Sequence, residues 1–193
     1  SMVVSFNGAH LNNPGDNIVR VYCEPDMNND NNEHTWQMTT TLNEVGYATD
    51  SVVAGQHVTY STIAVGGTDH IAYVNKYNMV DTLIATHVKA FITNTANNSN
   101  VGRHFRFIVA DASGNIIESS DEMTVTAAME NQWVMGEINN YALTSTNGSL
   151  YVGIEMLDGG TYLGVQEEAP LRDTTYYTLT NGTLTASTVG RQM

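Results

Sequence analysis

Residues 24–36, with the sequence EPDMNNDNNEHTW, carry two aspartates, four asparagines and two glutamates in one short stretch. Carboxylate and amide oxygens are the ligands that Ca²⁺ prefers, and calcium accepts about six to eight of them even in irregular loops. The stretch therefore suggests a structural calcium site. The alternative is a solvated loop, since asparagine and aspartate also favour turns.

The best-defined calcium loop, the EF-hand, does not fit this stretch. Asp26, Asn28 and Asp30 occupy its first three ligand positions. However, Asn31 stands where the loop requires glycine, and Gln37 stands where it requires glutamate. A looser calcium site stays open, and a second acidic group follows later in the chain. The candidate metal ligands are Asp26, Asn28, Asp30, Glu33, Asp158 and Asp173.

Aromatic side chains beside asparagine and aspartate offer a second kind of chemistry, which is the binding of sugars. Aromatic rings stack on the apolar faces of a sugar, while neighbouring polar groups form hydrogen bonds with its hydroxyls. Trp36 borders the polar stretch, and tyrosines recur in the segments TYLG and TTYYT. A half-buried position in a sheet is the alternative for Trp36. The candidate ligand-binding residues are Trp36, Tyr162, Tyr176 and Tyr177.

The sequence contains no catalytic signature, and we assign no catalytic residue. The six histidines are scattered without HExxH spacing, and the chain has neither a GxSxG turn nor a glycine-rich phosphate-binding loop. Adjacent carboxylates such as Asp121 and Glu122 point to opposite faces of a strand, which does not suit a glycosidase pair. We therefore predict that the chain is not an enzyme, although residues of separate strands can still converge in a fold.

Composition and charge exclude some partners. The 20 acidic residues outnumber the 7 basic ones, so the formal net charge is -13. Such a surface repels phosphate backbones, which argues against nucleic-acid binding. No apolar run approaches the ~18 residues of a membrane-spanning helix, so no membrane insertion is expected. Neutral polysaccharides and proteins are compatible with this charge.

Frequent short strands separated by turn signals predict an all-β fold. In the segment RHFRFIVAD, Phe105, Phe107 and Val109 alternate with Arg106 and Ile108, which predicts a strand with two unlike faces. This pattern, repeated along the chain, is typical of a sandwich or barrel. We predict a jelly-roll-like β-sandwich of two antiparallel sheets.

Turn residues predict where these strands reverse. Asn181-Gly182 stands between the alternating segments YYTLT and TLTAS, which is a strong hairpin signal. Residues 112–115, with the sequence ASGN, predict a hairpin after RHFRFIVAD. Residues 158–160, with the sequence DGG, predict another between LYVGIEML and TYLGVQ.

We expect a single β-sandwich domain over residues 1–193, cut from a longer protein. Ser1 and Met2 are interpreted as a remnant of expression. The strands of residues 3–35 are either an N-terminal extension or part of the same two sheets.

Four segments follow one another between residues 70 and 166: HIAYVNKYNMVDTLIATHVKAFITN, GRHFRFIVADASGNIIESSDEMTV, NQWVMGEI and GSLYVGIEMLDGG. This succession resembles a β-sandwich domain of large secreted, multidomain proteins of Bacteroidetes-type bacteria, which often end in a type IX secretion sorting segment. It is also distantly similar to the cleaved-adhesin jelly rolls of that group. The resemblance implies export, and it implies that Trp133 packs in the core.

From these observations we expect a non-catalytic binding or adhesion module of a secreted or cell-surface protein. Its expected partners are a polysaccharide or a surface protein, together with other domains of the same polypeptide. Calcium would be a structural cofactor. The first alternative is a spacer domain beside a catalytic or sorting domain. The second is a hydrolase or peptidase domain, which requires histidine and carboxylate or hydroxyl groups to converge in a concave site.

Overall fold

The computed structural model describes residues 15–22, 33–40, 46, 60–65, 70–78, 83–94, 99–143, 148–158, 161–167, 174–187 and 191–192. Most of these residues are in strands, and their helical structure is a short 3-10 turn at Ala127–Met129. The all-β prediction is therefore confirmed. The chain contains two compact units, Ser1–His57 and Val58–Met193. The expected single-domain organisation stays a prediction.

In its described residues, the first unit has two antiparallel strands, β1 (Gly15–Tyr22) and β2 (Glu33–Thr40). Their register runs without a shift from Gly15 opposite Thr40 to Tyr22 opposite Glu33. Arg20 and Glu33 form an exposed ion pair across the two strands. Solvent screens such a pair, so it adds little to stability. Residues 23–32, which connect the strands, lie outside the described ranges.

The second unit contains twelve described strands. They are β3 (Tyr60–Val65), β4 (Ile71–Asn78), β5 (Leu83–Ile92), β6 (His104–Ala110), β7 (Ile116–Ser119), β8 (Met123–Thr124), β9 (Gln132–Leu143), β10 (Ser149–Met156), β11 (Thr161–Glu167), β12 (Tyr176–Thr180), β13 (Thr183–Ala186) and β14 (Arg191–Gln192).

These strands form two antiparallel sheets. The seven-stranded sheet has the order β13-β12-β4-β10-β6-β7, with β8 also paired to β6. The five-stranded sheet has the order β14-β11-β5-β9, with β3 paired to β11. Side chains of both sheets meet in one core, as in a β-sandwich. The predicted sandwich is confirmed, while its jelly-roll character stays a prediction.

The core between the sheets is built from alternate residues of each strand. Phe105 and Phe107 of β6 are fully buried and pack with Val134 and Ile138 of β9. Gly136 lies between the latter two, and a Cβ atom there would overlap the ring of Phe107. The glycine therefore provides the space in which this large ring sits between the sheets.

The opposite face of the seven-stranded sheet holds a second apolar cluster. Ile108 and Ala110 are fully buried there, with Val74, Tyr151 and Leu179. The predicted division of β6 into two faces is confirmed, since Ile108 lies on the face away from Phe107. Both faces of this sheet are therefore buried at its centre, which an alternating polar and apolar pattern does not lead one to expect.

The second cluster is covered because the edges of the seven-stranded sheet curl toward each other. A Cβ atom on Gly114, in the β6–β7 loop, would overlap the carbonyl oxygen of Gly182 in the β12–β13 turn and would contact Leu179. These two turns belong to opposite edges of the sheet in its strand order. The sheet is thus strongly coiled, and its outer face becomes concave.

Two predicted hairpins are confirmed and one is wrong. β6 pairs with β7, and β12 pairs with β13 around Asn181 and Gly182, which both have positive φ as a two-residue hairpin turn requires. β10 and β11, however, belong to different sheets, so the connection that begins at Asp158 crosses the sandwich. Turn residues mark where the chain reverses, but they do not specify which sheet the next strand joins.

Candidate functional site

The structure describes two of the six predicted metal ligands, Glu33 and Asp158. Asp26, Asn28, Asp30 and Asp173 lie outside the described residues. Glu33 is the exposed ion-pair partner of Arg20. Within the described ranges, no group of three or more histidine, cysteine, aspartate or glutamate side chains is placed to hold a metal ion. The calcium site stays a prediction.

Asp158 binds its neighbour His104 on β6. The backbone N–H of His104 donates to Asp158 Oδ2 at 2.7 Å, and His104 Nδ1 lies 2.8 Å from the same oxygen. These contacts, the backbone hydrogen bond first, hold the pKa of the Asp158 carboxyl below its usual range. The carboxylate therefore anchors the chain where it leaves the seven-stranded sheet.

The four predicted ligand-binding aromatic residues are distributed over three strands, β2, β11 and β12. Trp36 is opposite Val19 in the first unit, and Tyr162 is in β11. Tyr176 is 4% exposed and therefore presents almost no surface to a ligand. Tyr177 is half-buried against Tyr151, with ring centroids 4.9 Å apart in an edge-to-face arrangement. Tyr177 thus supports the second apolar cluster.

An aromatic group that the sequence did not single out lies on the outer face of the five-stranded sheet. In β9, Val134 and Ile138 point into the core, so the alternating residues Trp133 and Met135 point away from it. Trp133 is half-buried and belongs to neither apolar cluster. The expected core position of Trp133 was therefore wrong.

The register between β5 and β9 places these outward-facing side chains in adjacent cross-strand pairs, which form a ladder. Phe91 of β5 is opposite Trp133, and Lys89 is opposite Met135. We call these four residues the aromatic face. His87 opposite Glu137 continues the ladder with polar groups. Three such pairs span about 13 Å along the strands, at roughly 3.3 Å per residue.

Packing fixes the rings of the aromatic face. Phe91 and Trp133 meet edge to face, with centroids 5.7 Å apart and planes at 73°. Lys89 Nζ lies 5.3 Å from the centroid of the Trp133 ring, within the range of a cation–π contact. A Cβ atom on Gly164 of β11 would overlap the Phe91 ring, so glycine at that position allows the ring to lie flat against the sheet.

The end of the aromatic face at Met135 is exposed, and it combines apolar with hydrogen-bonding side chains. Met135 is 59% exposed, which is high for so large an apolar side chain. His87 and Glu137 are exposed beside it. Rings and a thioether flanked by hydrogen-bonding groups can hold an extended polar ligand through stacking combined with directed contacts. The alternating residues of β9 have two different faces, but only the fold shows which of them is exposed to solvent.

Two histidines, His104 of β6 and His70 directly before β4, lie close to carboxylates. His104 contacts Asp158, as described above, and His70 Nδ1 is 3.5 Å from Glu155 Oε1. A hydrolase of the serine type also needs a hydroxyl against the histidine. A histidine–hydroxyl contact occurs elsewhere, where His87 Nδ1 lies 2.9 Å from Thr86 Oγ1 on the exposed side of β5. These contacts do not combine into a triad.

Within the described part of the chain, no helix reaches the length and apolarity needed to cross a membrane. Comparison of the chain with protein-family models and with curated proteins finds no match.

Proposed function

We propose that this protein is a non-catalytic binding module that holds a polysaccharide on the outer face of its five-stranded sheet. The observation that supports this most strongly is the aromatic face, because it aligns Trp133, Phe91 and the exposed Met135 in adjacent cross-strand pairs. On an outer face these side chains lose the stabilisation that burial in the core would give, and a domain that acts only as a spacer gains nothing in return.

The chemistry of the face suits a neutral sugar chain. The ring of Trp133 and the thioether of Met135 offer apolar area to the C–H faces of sugar rings. Lys89, His87 and Glu137 lie in the same ladder and provide donors and acceptors for hydroxyl groups. A strongly anionic polymer would meet the net charge of -13, so we expect neutral chains to bind better.

The proposed setting is the outside of a bacterial cell, as part of a longer secreted or surface-attached polypeptide. This follows from the resemblance to domains of secreted multidomain proteins. In that setting the module would attach its neighbouring domains to a polysaccharide or to another surface, and calcium bound near residues 24–36 would be a structural cofactor.

Affinity electrophoresis through gels that contain soluble neutral polysaccharides, with pull-down on insoluble ones, tests this proposal. Retardation by at least one polysaccharide should be lost in Trp133→Ala and largely kept in Trp133→Phe. Loss of the stacking contact should weaken binding by about tenfold or more, which corresponds to ~1.4 kcal/mol. Val101→Ala is the matched control, since it truncates an exposed apolar side chain outside the aromatic face.

The alternatives predict different results. A spacer would migrate unchanged in every gel, and its Trp133→Ala variant would behave like the wild type. A ligand surface in the first unit would instead be sensitive to Trp36→Ala and insensitive to Trp133→Ala. A hydrolase would shorten the polysaccharide during the experiment, which analysis of reducing ends detects.

A further inference from the structure

A cleft of about 370 Å³ opens on the outer face of the seven-stranded sheet, where its curled edges meet. Gly114 of the β6–β7 loop and Gly182 of the β12–β13 turn lie on two of its sides. This volume is within the range of about 300–1,000 Å³ that is usual for small-ligand sites. We call it the edge cleft. It lies on a different sheet from the aromatic face.

A buried carboxylate is the main polar feature of the edge cleft. Glu155 is 6% exposed and lines the cleft. Arg106, directly opposite on β6, donates from Nε to Glu155 Oε2 at 2.5 Å. The other carboxylate oxygen, Oε1, is 3.5 Å from His70 Nδ1, which is longer than an ordinary hydrogen bond. Oε1 is therefore positioned to accept a further donor.

The remaining walls combine hydrogen-bonding groups with apolar surface. His70 and Asn181 are exposed at the rim, and each can both donate and accept hydrogen bonds. Leu179 and Ile116 form the apolar lining, and Ile116 is 40% exposed. A ligand with hydroxyls on one side and C–H groups on the other matches such a surface.

The charges of the cleft favour a neutral ligand. Arg106 already offsets the Glu155 charge, so a cation would have to compete with a guanidinium at 2.5 Å. An anion would approach a buried carboxylate on a protein whose net charge is -13. Neither sign of charge is therefore favoured, whereas a hydroxyl can donate to Glu155 Oε1 without disturbing the ion pair.

We infer that the edge cleft binds one neutral, hydroxyl-bearing ring of the sugar or polyol class, through Glu155, His70 and Asn181. Such a ligand could be a free monosaccharide or the terminal residue of a sugar chain, since both present the same hydroxyls. This inference does not depend on the aromatic face, and it stands if that face binds nothing.

The test is a titration of the ¹⁵N-labelled 193-residue chain with three probes, in which the chemical shifts of the backbone amides are measured. The probes are a neutral hexose, its 2-amino derivative and its uronic acid. We expect the neutral hexose to cause saturable shifts of the Gly114, Asn181 and Gly182 amides. The uronic acid should have a higher Kd than the neutral hexose, and the Kd of the amino sugar should not be lower than that of the neutral hexose. No saturable shifts, or tighter binding of either charged probe, would overturn the inference.

Two variants show whether the named side chains hold the ring. Glu155→Gln should raise the Kd by about tenfold, because it replaces a charged acceptor with a neutral one. Asn181→Gly removes the side-chain amide but keeps a residue that tolerates positive φ, so the turn is preserved and binding alone weakens. Unchanged affinity in folded Asn181→Gly protein would contradict the role of Asn181 and thereby the proposed site. Glu122→Gln, at an exposed position that does not line the cleft, is the matched control.

An oligosaccharide with a blocked reducing end distinguishes the two sources of the ligand. Shifts of the same amides by the oligosaccharide identify the end of a chain as the ligand, and shifts by the monosaccharide alone identify a free sugar. Both results support the proposed chemistry. Trp133→Ala should bind the hexose with unchanged Kd, so failure of the polysaccharide proposal and failure of this inference give different results.

Discussion

Gly114 and Gly182 approach so closely that a Cβ atom on Gly114 would overlap the carbonyl oxygen of Gly182. The first glycine lies in the loop after β6, and the second lies in the turn before β13. Their contact joins the two edges of the seven-stranded sheet over the buried Ile108 and Leu179. It therefore closes the second apolar cluster and, at the same time, forms the edge cleft.

Replacing Gly114 with alanine should therefore destabilise the protein more than replacing Gly102. Both glycines have nearly the same positive φ, +85° and +87°, so alanine has a similar backbone cost of ~1–2 kcal/mol at either position. A Cβ atom at Gly102 meets open space, whereas one at Gly114 forces the two edges apart. Urea denaturation of the two variants gives the comparison, and equal losses would mean that the edge contact contributes nothing.

Gly164→Ala should disturb the aromatic face and leave the core intact. The added methyl group would overlap the Phe91 ring on the outer face, so this ring must shift and its edge-to-face contact with Trp133 must change. In a Trp36→Phe background, the fluorescence of Trp133 should shift and polysaccharide affinity should fall. Gly136→Ala is the contrasting variant, since its methyl group meets the buried Phe107 and should lower the free energy of unfolding instead.

The Glu130 carboxylate should make the stability of its loop sensitive to acid. Ser99 Oγ donates to it at 2.7 Å, Asn94 Nδ2 at 2.9 Å and the Asn100 N–H at 2.6 Å. These bonds, that of Ser99 first, lower the pKa of Glu130 in the folded protein. The stabilisation is thus fully present above the unfolded pKa of about 4.3 and is lost as the pH falls through the folded pKa.

Glu130→Gln should accordingly lower the free energy of unfolding most near neutral pH, and the difference from the wild type should shrink below about pH 4. Urea denaturation at several pH values between neutrality and acid measures this difference. Glu122→Gln, which makes the same substitution at a solvent-exposed position, is the matched control. A Glu130→Gln difference that stays constant over the whole pH range would contradict the prediction.

Local patterns in the sequence predicted those features that depend on neighbouring residues. Asn181 and Gly182 specify a turn with positive φ at both positions, whatever the remainder of the fold. Alternation in β6 separates Phe107 from Ile108, because successive side chains of a strand point to opposite faces. Both features are set within a few residues, so the sequence alone was sufficient.

Features that depend on distant strands were not predictable in this way. The sequence of β9 gives one face with Trp133 and Met135 and another with Val134 and Ile138. Hydrophobicity alone favours burial of the larger aromatic side chain. The opposite face is buried because Gly136 must accommodate Phe107 from the other sheet. Glu155 likewise lines the edge cleft only because β10 pairs with β6 and the edges of the sheet curl toward each other.

The proposed calcium site makes a prediction about thermal stability. A site filled well above its dissociation constant stabilises a protein by roughly 2–4 kcal/mol, which is several degrees for a chain of this length. Because the net charge is -13 and EPDMNNDNNEHTW concentrates oxygen ligands, we expect the Tm to rise when excess Ca²⁺ replaces EDTA. The double variant Asp26→Ala, Asp30→Ala should abolish that rise.

The control is Asp158→Asn, which should preserve the rise in Tm because His104 already binds this carboxylate. The same Tm in EDTA and in calcium would show that residues 24–36 hold no ion.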